Sequence, residues 1–156
     1  MATSAKQICV EDLPALVNIE LGPTKPVLVS QDRIDGFARD TDDFQWIHTD
    51  PVRAAAGPFG SCIAQGFLTL ALVSKFLHEL IDVQDATAAI NYGLNRVRFP
   101  SPIAAGDPLS ATARVIDVRQ NPRGVLLMAT VVMTVEGAQK PACVAESLTL
   151  YPDGKL

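Results

Sequence analysis

The chain is poor in the residues that staple small proteins or bind metals. Only three cysteines occur in 156 residues, at Cys9, Cys62 and Cys143. They are far apart and odd in number, so neither a disulfide framework nor a Cys-paired zinc site is expected, and all three read as buried thiols. The only two histidines, His48 and His78, lie thirty positions apart with no cysteine pair near either, which argues against a metal ligand set. Basic runs are missing as well. The formal net charge is -4, with acidic and basic residues interspersed, so nucleic acid is not an expected partner. The longest strongly apolar segment, "VLLMATVVMTV", is too short to cross a bilayer. The opening "MATSAKQICVEDLP" lacks a basic region followed by an apolar stretch, so a soluble, cytoplasmic protein with no membrane partner is expected. No repeat and no Pro/Gly/Ser linker divides the chain, and residues 1–156 read as one domain.

What is present falls into two unlike halves. After a leader without a clear pattern, "VNIELGPTKPVLVS" is extended, is broken by a Gly-Pro turn, and ends at Ser30, a good helix N-cap. In "QDRIDGFARD" the apolar Ile34, Phe37 and Ala38 fall at i, i+3 and i+4, one face of a short helix that the charged run "DTDD" must terminate. "TDPVRAAAGP" places Asp50 as N-cap, Pro51 at the first helical position and Gly57-Pro58 as the stop. "GFLTLALVSKFLHELI" is apolar around most of its cylinder, so this helix must be wrapped on more than one side. The second half, "AAINYGLNRVRFP", "LSATARVIDVRQ", "GVLLMATVVMTV" and "ACVAESLTLYP", reads as four strands joined by turn-rich segments. Strict alternation in the second of them puts Thr112, Arg114, Ile116 and Val118 on one face and Ala113, Val115, Asp117 and Arg119 on the other. An antiparallel meander preceded by one apolar helix predicts an α+β fold of the hotdog type, a curved sheet around a long central helix, with an α+β sandwich as the alternative that periodicity leaves open.

The polar residues concentrate in "DDFQWIHTDP", positions 42 to 51. Asp43 and His48 flank "FQWI" in a loop between two short helices. An aspartate ahead of a helix usually caps it, and a lone histidine usually completes a hydrogen bond. A second feature points further: in "CIAQGF", Gly66 opens the apolar helix, so its N–H lies among unpaired donors at the positive end of the dipole. Carboxylate, imidazole and oxyanion donor are the parts needed to move a proton beside an acyl carbonyl. Other residues read as structural: Trp46 as a packing anchor, His78 as exposed, and Arg96 and Arg98 as a solvated strand face equally able to meet a phosphate.

The stretch "FARDTDDFQWIHTDPVRAAAGPFGSCIAQGFLTLAL" resembles the signature of the MaoC-like dehydratases, the family of (R)-specific enoyl-CoA hydratases. "QWIH" and "PFGSCIAQGFLTL" are especially similar to the branch named after nodulation protein N, and "NYGLNRVRFPSPIAAGDPL" resembles the family's later segment. The resemblance implies Asp43 and His48 as the catalytic pair and Gly66 as the N–H donor to the thioester oxygen, with Gln45 at the position of the family's asparagine. It implies reversible hydration of a trans-2-enoyl thioester, carried on CoA or an acyl carrier protein, without a metal or other cofactor, in a homodimer. Three positions depart from the family pattern. Asp42 stands for a glycine, where positive φ is expected, Gln45 for an asparagine, and Gln65 for the histidine before Gly66; Gln65 reads as support for the helix start. Two other readings stay open. A hotdog thioesterase is disfavoured because those enzymes resemble one another in an acidic residue on the central helix, and "GFLTLALVSKFL" has none. A catalytically silent acyl-binding protein fits the changes at Asp42 and Gln65.

Overall fold

The computed structural model describes residues 5–153. A short strand β1 (Lys6–Ile8) and a 3-10 turn (Val10–Leu16) lead into β2 (Glu20–Leu21) and β3 (Val27–Val29). Four helices follow: α1 (Gln31–Thr41), α2 (Trp46–Thr49), α3 (Pro51–Ala55) and α4 (Gly66–Leu80). The strands β4 (Ile81–Val83), β5 (Ile90–Arg98), β6 (Asp107–Asn121), β7 (Gly124–Val135) and β8 (Cys143–Pro152) complete the chain. The main sheet is antiparallel, in the order β2-β6-β7-β8-β5 with β3 also on β6, while β1 and β4 form a small parallel pair.

The long meander β6-β7-β8 turns on sharp local chemistry. Gly124 closes the β6–β7 hairpin at φ +139°, and a Cβ there would lie 2.1 Å from the Tyr151 carbonyl oxygen, so no other residue fits. The inward positions Ala111, Ala113 and Val115 of β6, Leu127, Ala129, Val131 and Met133 of β7, and Ala145 of β8 share one core with Leu68, Leu72, Val73, Phe76, Leu77 and Leu80 of α4. Each large side chain so buried is worth about 1.5–3 kcal/mol, so this helix–sheet interface holds the central helix. The architecture is the α+β hotdog fold.

Local details differ from the pattern in the sequence. A β-bulge between Val115 and Asp117 inserts one residue into β6. Beyond it the facing reverses: Ile116 is exposed, whereas Val118, expected on the same face, packs toward the core. The helix expected to continue through Ile81 ends at Leu80, and Ile81 begins β4. One stripe of α4 stays uncovered in the single chain, with Phe67 72% exposed and Ala71, Lys75 and His78 also outside. Cys62 and Cys143 are buried, whereas Cys9 is only partly so, because it precedes the 3-10 turn at the periphery. Among the described residues no helix is long and apolar enough to span a membrane.

Candidate active site

The site is built where α1 ends, α2 lies and α4 begins. Ser30 caps α1 by accepting from the Arg33 N–H at 3.3 Å. At the far end Asp42 adopts the left-handed conformation, φ 56° and ψ 24°, which stops the helix and turns the chain so that both Asp42 and Asp43 donate their N–H to the Ala38 carbonyl. This explains the residue type the position asks for: glycine is strain-free there, and aspartate is among the few substitutes tolerated. The Asp42 side chain is exposed.

From there "QWIHT" winds into the single turn α2, which the sequence pattern leaves as a loop. The His48 N–H donates to the Gln45 carbonyl at 2.9 Å, and Asp50 caps the following α3 by accepting from the Arg53 N–H at 2.9 Å. Trp46 lies under the Arg53 guanidinium, 4.4 Å from its ring centroid, and against Gly57, where a Cβ would come within 2.9 Å of the ring. It is a packing anchor for the α2–α3 corner.

His48 is 6% exposed, and its Nδ1 lies 2.6 Å from the Ile63 carbonyl oxygen. A carbonyl only accepts, so Nδ1 carries the proton and, in the neutral ring, Nε2 presents its lone pair. That Nε2 faces Asp43 Oδ2 at 4.0 Å, and the Asp43 side chain is 34% exposed. Two acceptors thus look at each other across a gap too wide for a direct hydrogen bond. Gln45 Nε2 donates to the other carboxylate oxygen, Asp43 Oδ1, at 3.4 Å. The structure therefore brings Asp43, Gln45 and His48 together.

Gly66 follows shortly after a segment bonded to α2. The Ile63 segment that receives the imidazole proton is itself tied down by Ile63 N–H donating to the Ile47 carbonyl at 3.0 Å, and Gly66 starts α4 three residues later. As the first helical residue it has an N–H without an intrahelical acceptor. A Cβ on Gly66 would sit 3.2 Å from the Phe99 ring, so the absence of a side chain admits that ring over the helix start. Gln65 is 2% exposed, and its Nε2 donates to the Ile34 carbonyl of α1 at 3.3 Å while its Oε1 has no partner. Arg96 and Arg98 are exposed on β5, where they line a surface groove with Val144 and Glu146.

Three participants have no signal in the sequence. The Ile63 carbonyl that fixes the imidazole is a backbone group, Phe99 reaches Gly66 from a distant loop, and Gln31, whose Nε2 donates to the His48 carbonyl at 2.7 Å, looks like an ordinary first helical residue. Among the described residues no three His, Cys, Asp or Glu side chains converge on a potential metal position.

A curved sheet around a central helix, with a carboxylate and an imidazole opposed at 4.0 Å on the segments that precede that helix, defines a hotdog-fold protein with a candidate site at the Asp43–His48 pair. Comparison with known proteins narrows the class. The MaoC like domain family matches residues 14–137. The 3-hydroxyacyl-thioester dehydratase Z of Mycobacterium tuberculosis is 47% identical over 144 residues, covering 91% of this chain and 95% of that protein. Nodulation protein N of Rhizobium meliloti is 40% identical over 147 residues, covering 92% and 91%. The fold matches that of the unliganded R-hydratase PhaJ1 from Pseudomonas aeruginosa with a TM-score of 0.72 at 23% identity, over 90% of this chain and 84% of that one. The chain belongs to the MaoC-like dehydratase family and is an enzyme of the hydratase/dehydratase class.

Proposed function

We propose that this enzyme catalyses the reversible, (R)-specific hydration of trans-2-enoyl thioesters, and equally the dehydration of 3-hydroxyacyl thioesters, with Asp43 and His48 as its catalytic residues. The single observation that carries the reading is the pair of acceptors, His48 Nε2 and Asp43 Oδ2, opposed at 4.0 Å with the imidazole proton committed to the Ile63 carbonyl. A molecule with two O–H donors is what satisfies both, and water is the smallest such molecule.

In the hydration direction the water oxygen bonds to Cβ as the Cα–Cβ double bond opens toward the thioester. One water proton passes to the Asp43/His48 pair, and a proton is delivered from the same side to Cα. Water is added across the double bond, and the pair ends as it began. The negative charge that develops on the thioester oxygen lies at the Gly66 N–H, at the positive end of α4. Gln45 keeps Asp43 turned toward its partner. No cofactor enters this chemistry. The substrate is a CoA or acyl-carrier-protein thioester, and the enzyme works as a homodimer in the cytoplasm.

Incubation with crotonyl-CoA, following enoyl absorbance and free thiol separately, tests this. Loss of absorbance without thiol is expected. Thiol release would instead indicate a thioesterase, and neither signal, with thermal stabilisation by the ligand, a silent binder. Asp43→Asn and His48→Ala are each expected to lower kcat by at least ~10²-fold while circular dichroism shows the fold unchanged. Near-full rate in either variant removes that residue from the assignment.

A further inference from the structure

The turn that carries His48 cannot hold its own shape. A four-residue helix lies far below the length at which hydrogen bonding offsets the cost of nucleation, and the His48 carbonyl, in its last turn, has no acceptor role inside α2. That carbonyl is taken by a side chain from another helix. Gln31 Nε2, in the first turn of α1, donates to His48 O at 2.7 Å and at the same time to Asp35 Oδ1 at 2.8 Å. A carboxylate only accepts, so Asp35 orients the amide with its NH2 group toward His48.

Two further bonds fall on the same face of α1. Ile34 and Ala38 lie three and seven residues beyond Gln31; the Ile34 carbonyl receives Gln65 Nε2 and the Ala38 carbonyl receives the Asp43 N–H. One face of one helix therefore touches the carriers of the imidazole, the carboxylate and the oxyanion donor. We propose that Gln31, oriented by Asp35, is a positioning residue that sets the His48 imidazole against Asp43 by capping the turn on which it stands. This rests on the hydration reading for its kinetic consequence, though not for its structural one.

The test uses Gln31→Met, which keeps side-chain length and removes the donor, and Gln31→Lys, which keeps a donor beside Asp35. The Met variant is expected to lower kcat about 10–100-fold, the scale of a small misplacement of a catalytic group, with KM nearly unchanged because the Gln31 NH2 group is spent on His48 and Asp35. The Lys variant keeps most of the rate. Long-range proton–nitrogen NMR of the imidazoles supplies a readout independent of turnover: wild-type His48 shows one tautomer protonated at Nδ1, and Gln31→Met shows mixed tautomers, with exposed His78 as internal reference. Unchanged kcat in an active Met variant, or a wild-type His48 signal in it, overturns the proposal. If wild-type enzyme hydrates no enoyl thioester, the hydration reading fails, and the NMR comparison still decides the role of Gln31. If the Met variant does not fold, Asp35→Ala releases the amide without removing it; a weaker shift of the His48 signal in the same direction supports the proposal, and a wild-type signal overturns it.

Discussion

Gly66 combines two demands that one substitution cannot separate but a pair can. It lacks a Cβ where the Phe99 ring packs, and it supplies the N–H proposed for the thioester oxygen. Gly66→Ala adds the Cβ, obliges Phe99 to shift by a few tenths of an ångström, and leaves the N–H in place. Gly66→Pro removes the N–H at the one helical position that accepts proline, and the preceding residue, Gln65 at φ -59° and ψ 140°, already has the extended backbone that proline requires before it. The Pro variant is expected to fold and to lose roughly 10²–10³-fold in kcat relative to the Ala variant, the cost of one oxyanion donor. Equal rates in the two would show that only the space at Gly66 matters. Asp42 is the converse case of a residue whose backbone role is legible in advance: the family pattern asks for glycine, and the chain there is left-handed. Gln31 was illegible, since nothing in "SQDRI" marks the amide at its second position as the cap of a turn seventeen residues away.

Element by element, legibility follows how much of the stabilisation is local. The central helix α4 announces itself because its apolar surface and its glycine start are both written within sixteen residues. The turn α2 does not, because its shape is imposed by Gln31 and the Ile63 segment. In β6 the alternation runs on without interruption in "ATARVIDV", and only pairing with β7 shows that a bulge has turned Val118 inward. Strand β8 carries a measurable consequence of its burial. Near its two ends, Cys143 and Tyr151 both point into apolar surroundings, and burial pushes their pKa values from 9.0 up to about 11 and from 10.0 up to about 12. In the folded chain both are held neutral beyond the pH at which the unfolded chain ionises, so their contribution is complete below pH ~9 and falls as pH rises toward those folded values. A two-unit shift corresponds to about 2–3 kcal/mol for each group. Urea melts between pH 8 and pH 11 are expected to show falling stability, and Cys143→Ala is expected to flatten the part of that fall beginning near pH 9. A stability that stays level to pH 11 would contradict the buried, neutral state of both groups.

At the scale of the whole molecule the two sides of the sheet end differently. At one side β6 is covered by the short strands β2 and β3, and at the other β5 presents a nine-residue edge with no strand beyond it among the described residues. Its residues Tyr92 and Leu94 are exposed. An apolar groove of about 370 Å³ lies between this strand and α4, lined in part by Leu70, Ala71, Gly93 and Leu94. A long edge with apolar side chains is an open template for pairing, and stable proteins cover such edges or blunt them with charge. Arg96 and Arg98 blunt only its far end. In the homodimer we propose, a second copy pairs β5 with β5 about a two-fold axis and so covers both edges at once. Light scattering on the eluting protein is therefore expected to give twice the 16.7 kDa chain mass. Tyr92→Arg with Leu94→Arg places like charges across that axis and is expected to shift the mass toward a single chain while the far-ultraviolet spectrum persists. A wild-type monomer at micromolar concentration would rule out the β5 pairing and leave the edge to be protected by its own arginines.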